Sequence, residues 1–115
     1  MLLNHIAIIS SSIESIKFYE KLGFQVVSDE DRGYDKLIYM NDGLTTLEIY
    51  VDSTHPKRLS SPEALGLRHL CFESEHIELF NSEIKEDKNG RFCFIYDPDG
   101  LPIEIRERVL NTPKE

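Results

Sequence analysis

Leu3-Asn4-His5-Ile6-Ala7-Ile8-Ile9, within the first ten residues, is matched in the second half of the chain by Leu67-Arg68-His69-Leu70-Cys71-Phe72. Two further runs follow them in turn, Thr46-Leu47-Glu48-Ile49-Tyr50 and Pro102-Ile103-Glu104-Ile105-Arg106. All four are rich in β-branched and aromatic residues and read as strands. They carry, in order, His, Glu, His and Glu. A chain that sets a His on an opening strand and a Glu on a closing strand, twice, reads as two copies of one module sharing one metal.

Side chains alternate along a strand, so each of the four residues defines a face. His5 shares its face with Ala7 and Ile9, and Glu48 shares its face with Tyr50. His69 goes with Cys71, and Glu104 with Arg106. The opposite faces carry Ile6 and Ile8, Leu47 and Ile49, Leu70 and Phe72, and Ile103 and Ile105. One face of each strand is therefore apolar and suited to a core, while the other is mixed and can line a pocket. Taken alone, a strand His is ordinarily a hydrogen-bonded surface residue. A Glu between isoleucines is ordinarily the solvent side of an antiparallel strand. The agreement across four strands is what points to ligands.

The rest of the chain fits a repeat of elements. Ser10-Ser11-Ser12 leads into a helix, with Ser11 and Glu14 spaced as a capping box and apolar Ile13, Ile16, Tyr19 and Leu22 at helical intervals. Gly23 supplies the stop. Phe24 to Ser28 and Tyr34 to Met40 read as strands, and Asn41-Asp42-Gly43 as a hairpin turn into residues 44–51. Module one is thus β-α-β-β-β over residues 1–52. Residues 53–66, with two prolines and little periodicity, read as a linker. Module two, 67–110, is expected as a strand, a helix from Ser74 or Glu75 to about Glu86 ended by Lys88-Asn89-Gly90, and strands at 91–96 and 101–107 around an Asp97-Pro98-Asp99-Gly100 turn. That leaves it one strand short. The interval from His69 to Glu104 is correspondingly shorter than that from His5 to Glu48.

Composition sets the bounds. The 115 residues are one domain's worth, 40% hydrophobic and 30% charged. A net charge of −8 with no basic stripe argues against nucleic acid. No run is long enough to cross a membrane and no signal peptide is apparent, so a cytoplasmic location is expected. Cys71 and Cys93 sit among apolar neighbours and read as buried free thiols. His55 and His76 read as solvated. The Asp97–Gly100 turn lacks the closing Glu of a calcium loop.

The opening run, together with Ser15-Ile16-Lys17-Phe18-Tyr19-Glu20-Lys21-Leu22-Gly23-Phe24, resembles the vicinal oxygen chelate superfamily, which includes glyoxalase I, fosfomycin-resistance proteins and extradiol dioxygenases. Gly66-Leu67-Arg68-His69 and the stretch from Phe94 to Glu104 resemble that family's second module. The resemblance runs from residue 2 to about 107. It implies an α+β fold of two βαβββ-type modules, the second shortened by about one strand, in a curved mixed sheet around a metal site. In glyoxalase I-like members the metal ligands fall at His5, Glu48, His69 and Glu104, with the opening and closing strands of each module as neighbours.

Two imidazoles and two carboxylates leave room for two waters on an octahedral divalent ion, and nickel, cobalt, manganese, iron or zinc would fit. The resemblance implies a lyase/isomerase acting on the hemithioacetal of a 2-oxoaldehyde through a metal-bound enediolate. In that reading Glu104, more than Glu48, moves the proton, and Tyr50 and Arg106 contact the small-molecule substrate. Two alternatives stay open. A dioxygenase-like or fosfomycin-resistance-like enzyme would use His5, His69 and Glu104 as ligands and leave Glu48 as a base. A metal-free small-ligand-binding protein needs none of them. The resemblance further implies a homodimer.

Overall fold

Runs of Ile, Leu, Val and Tyr broken by Gly-containing turns build two four-stranded sheets in the computed structural model, which describes residues 1–109. The chain divides between Arg58 and Leu59 into two compact units. The expected end of module two at residue 110 lies outside the described residues.

The first unit runs β1 (Ile6–Ser10), α1 (Glu14–Lys21), β2 (Gln25–Asp31), β3 (Lys36–Asn41) and β4 (Thr46–Val51). The sheet order is β1-β4-β3-β2, with β1 parallel to β4 and the other pairs antiparallel. The opening and closing strands are therefore neighbours, which is how His5 comes to lie near Glu48. Ile8, Leu47 and Ile49 are buried and Ala7 and Ile9 are exposed, as the alternation required. Ile16 and Tyr19 form the buried stripe of α1, and Tyr19 meets Phe24 edge-on at 6.4 Å. Full burial of each such side chain stabilises the fold by about 1.5–3 kcal/mol.

The helix starts differently from the expected capping box. Its N-cap is Ile13, which makes no side-chain cap bond, and the Glu14 N–H donates to Ser12 Oγ. At the other end Gly23 takes φ +105° as the chain leaves the helix, and the Phe24 N–H turns back to the Tyr19 carbonyl.

The second unit runs β5 (Leu70–Ser74), one turn of 3-10 helix (Ile77–Phe80), β6 (Lys85–Asp87), β7 (Gly90–Tyr96) and β8 (Pro102–Glu107). Its order, β5-β8-β7-β6, repeats that of the first unit, again with the opening and closing strands parallel. The α+β architecture is therefore as expected, but the missing strand is not missing. What has shrunk is the helix. Asn81 adopts the left-handed conformation at φ 54°, and the Ser82 hydroxyl donates to the Phe94 carbonyl at 2.6 Å, so the chain leaves helical geometry after one turn. Lys88-Asn89-Gly90 does not stop a helix but turns β6 into β7, with Asp87 paired to Gly90. Ile77, wholly buried, supplies the apolar contact of that turn.

Candidate metal centre

Each unit places its His one residue ahead of an edge strand and its Glu on the strand beside it. In unit one Glu48 is in register with Ala7, two residues beyond His5. In unit two Glu104 is in register with Cys71, two residues beyond His69. The same diagonal is thus built twice, and both pairs close. His5 Nε2 lies 3.4 Å from Glu48 Oε2, and His69 Nε2 lies 3.0 Å from Glu104 Oε1. The two carboxylates are almost equally sheltered, with 14% and 13% of their side chains exposed.

Each glutamate has a second partner, two residues farther along its own strand. The Tyr50 hydroxyl donates to Glu48 Oε1 at 2.8 Å, and Arg106 forms an ion pair with Glu104, Nε lying 2.9 Å from Oε2. The two positions expected to contact substrate therefore grip the candidate ligands. The hydrogen bond to Glu48 raises the Tyr50 phenol above its ordinary value. Arg106 is anchored in turn by Asp87 of β6, through Nη1 at 3.2 Å and through Nη2, and lies 4.7 Å over the Phe92 ring. That guanidinium holds the Asp87 carboxyl below the usual range. In unit one Arg32 stacks 4.9 Å over Tyr50 while binding Asp35 through two nitrogens. Asp87 escaped the sequence reading because it falls where a helix was expected.

Cys71 corrects another expectation. It is exposed, on the face of His69 and Glu104, whereas Cys93 is buried. Surrounding protein and then the charge of Glu104 push the Cys71 thiol above its ordinary value. His55 and His76 are solvent-facing, paired loosely with Asp52 at 3.7 Å and Glu78 at 3.8 Å.

The donors suit a divalent ion. For metal–ligand bonds of about 2.1 Å, two donors at right angles around an ion stand about 3 Å apart. The His–Glu separations of 3.0 and 3.4 Å lie close to that span. A ligating carboxylate also needs an outer partner to orient it, and Tyr50 supplies a hydrogen bond to Glu48 and Arg106 an ion pair to Glu104. Within either unit, the described residues bring only this pair of candidates together.

The repeated pair, the parallel opening and closing strands and the sheet order agree with a match to the family model described as Glyoxalase/Bleomycin resistance protein/Dioxygenase superfamily over residues 2–105. The chain belongs to that superfamily. It is 37% identical to the Bacillus subtilis protein YwkD, over 92% of this chain and 96% of that one. The crystal structure of a glyoxalase family protein from Enterococcus faecalis superposes with a TM-score of 0.81 at 38% identity, covering 92% of this chain and 97% of that one. A trypanothione-dependent glyoxalase I from Leishmania major shares the fold, with a TM-score of 0.69 at 24% identity over 93% and 86% of the two chains. Among the described residues no helix is long and apolar enough to cross a membrane.

Proposed function

We propose that this superfamily member is a divalent-metal enzyme of glyoxalase I type, isomerising the hemithioacetal of a 2-oxoaldehyde. The observation that carries the reading is the repeated His–Glu pair, set at one diagonal in both units and spaced as neighbouring metal ligands. His5, Glu48, His69 and Glu104 would hold nickel, cobalt, manganese, iron or zinc. Such an ion supplies Lewis-acid stabilisation of negative charge developing on the substrate oxygens.

The residues of the chain do the rest. The reaction moves a proton from the carbon bearing sulfur to the adjacent carbonyl carbon, and the hydroxyl proton passes to the neighbouring oxygen. A carboxylate that can reach both carbons accepts and returns the carbon-bound proton, a role that accelerates reactions by about 10²–10⁴-fold. The imidazoles and the carboxylate partners Tyr50 and Arg106 keep the donors oriented. We place the enzyme in the cytoplasm, where its free thiols persist, and as a homodimer.

The test is calorimetric titration of the chelator-stripped chain with nickel, cobalt, manganese and zinc, with Glu48→Ala alongside, followed by assay on methylglyoxal premixed with glutathione or cysteine. Binding that Glu48→Ala weakens, plus turnover of a hemithioacetal, is the expected result. Binding indifferent to Glu48→Ala would favour a three-ligand enzyme with Glu48 as a free base. No binding of any ion would leave a metal-free binding protein. Mixing inactive Glu48→Ala and Glu104→Ala chains tests whether a site is completed by two copies, which would restore activity.

A further inference from the structure

The approaches to the two opening strands differ in one residue, Leu3-Asn4-His5 against Leu67-Arg68-His69. That residue decides which nitrogen of each imidazole carries the proton. A neutral imidazole holds one proton, on Nδ1 or on Nε2, and the hydrogen bond made by one nitrogen fixes the role of the other.

In unit two both contacts on the ring agree. Arg68 Nη1 lies 3.2 Å from His69 Nδ1, and a guanidinium only donates, so Nδ1 accepts. His69 Nε2 lies 3.0 Å from Glu104 Oε1, and a carboxylate accepts, so Nε2 donates. His69 is therefore the Nε2–H tautomer, and the edge-on contact with Phe94 at 5.3 Å holds the ring in that setting. In unit one the order is reversed. His5 Nδ1 lies 2.8 Å from Asn4 Oδ1, an acceptor, so Nδ1 carries the proton. The neutral ring then turns a bare Nε2 toward Glu48, 3.4 Å away.

A metal binds imidazole through a bare nitrogen, and the other nitrogen of a ligating His ordinarily donates to an oxygen. His5 meets both conditions as it stands. His69 meets neither. To bind through Nε2 it must give that proton to solvent and take one on Nδ1, with no net change of charge, and the new N–H then faces the N–H groups of Arg68. Arg68 has another partner to turn to. Its Nε already lies 3.2 Å from Glu63 Oε1, and the two side chains are 62% and 45% exposed, so both are free of the core.

We infer that Arg68 is a latch: it keeps His69 in the tautomer that refuses a metal and releases it by turning wholly onto Glu63, while Asn4 keeps His5 ready. The tautomers stand on the contacts within each unit; the consequence for a metal rests on the proposed function.

Two measurements on the full chain test it. In the first, the imidazole nitrogens of the isotope-labelled, chelator-stripped chain are read by NMR at neutral pH, with His55→Gln and His76→Gln used to assign the signals. His69 should show Nε2–H and His5 Nδ1–H. Arg68→Asn, which copies the Asn4–His5 arrangement, should move His69 to Nδ1–H. The same tautomer at both histidines, or a His69 indifferent to Arg68→Asn, would overturn the inference without reference to any metal.

In the second, cobalt is titrated calorimetrically into the stripped wild type, Arg68→Asn and Asn4→Ala. Arg68→Asn should tighten binding by about tenfold, and Asn4→Ala should weaken it by about the same factor. Binding unchanged or weakened by Arg68→Asn would overturn the latch and leave the proposed function standing. No binding of any ion by either the wild type or Arg68→Asn would sink the proposed function, and the latch with it.

Discussion

If the proposed ion is bound, it should stabilise the fold against heat, and the size of the effect can be worked out. At a free metal concentration one hundred times Kd, binding to the folded state alone adds about 2.7 kcal/mol. Unfolding entropy of about 2.1 cal/mol/K per residue gives about 0.24 kcal/mol/K for the 115 residues. The midpoint should therefore rise by about 11 °C. If Glu48→Ala weakens binding by about a hundredfold, the same metal concentration equals its Kd. The gain then falls to about 0.4 kcal/mol, or less than about 2 °C. The assay is a calorimetric melt of stripped protein with and without cobalt, run on both chains. A Glu48→Ala shift as large as that of the wild type would refute a four-ligand site.

Three other expectations follow from the fold. Ile103, wholly buried beside Glu104, should cost about 2–5 kcal/mol when changed to Ala, measured by urea unfolding. Ser10→Ala removes a buried 2.5 Å hydroxyl pair with Ser15 and leaves that oxygen short of a partner, so urea unfolding should show a loss of about 1–3 kcal/mol. Asp35 is held below the usual carboxylate range by the Arg32 guanidinium. Its contribution is therefore present above the ordinary Asp value and lost as pH falls through the depressed one, below about pH 4. Acid unfolding of Asp35→Asn should accordingly converge with that of the wild type at the acid end and separate from it toward neutral pH.

Alternation in the strands was enough to place His5, Glu48, His69 and Glu104 on mixed faces opposite an apolar side, because that pattern is local. It also contained the exposure of Cys71, which shares the face of His69; its apolar neighbours suggested burial and misled. The second-unit helix failed for a different reason. Ile77, Phe80 and Ile84 keep intervals that a helix would also give, yet Asn81 turns left-handed and the Ser82 hydroxyl bonds the Phe94 carbonyl. The latter is a tertiary contact that no window of sequence displays. With the helix misread, β6 disappeared, and Asp87 with it. Tyr50 and Arg106 were legible as neighbours of the site, but their grip on the carboxylates depends on side-chain reach and not on period.

β6 gains a role from this arrangement. It is a three-residue edge strand with every residue exposed, the kind of segment that opens most readily by local fluctuation. Its last residue, Asp87, reaches past β7 to clasp Arg106 on β8. When β6 peels away, the clasp opens and Glu104 loses its brace. Linkage would make the effect mutual: if Glu104 holds the proposed ion, binding should also slow the fraying of this edge. On the proposed metal site, the amides of Lys85 to Asp87 would then serve as a remote gauge of occupancy, their hydrogen exchange slowing as metal is added.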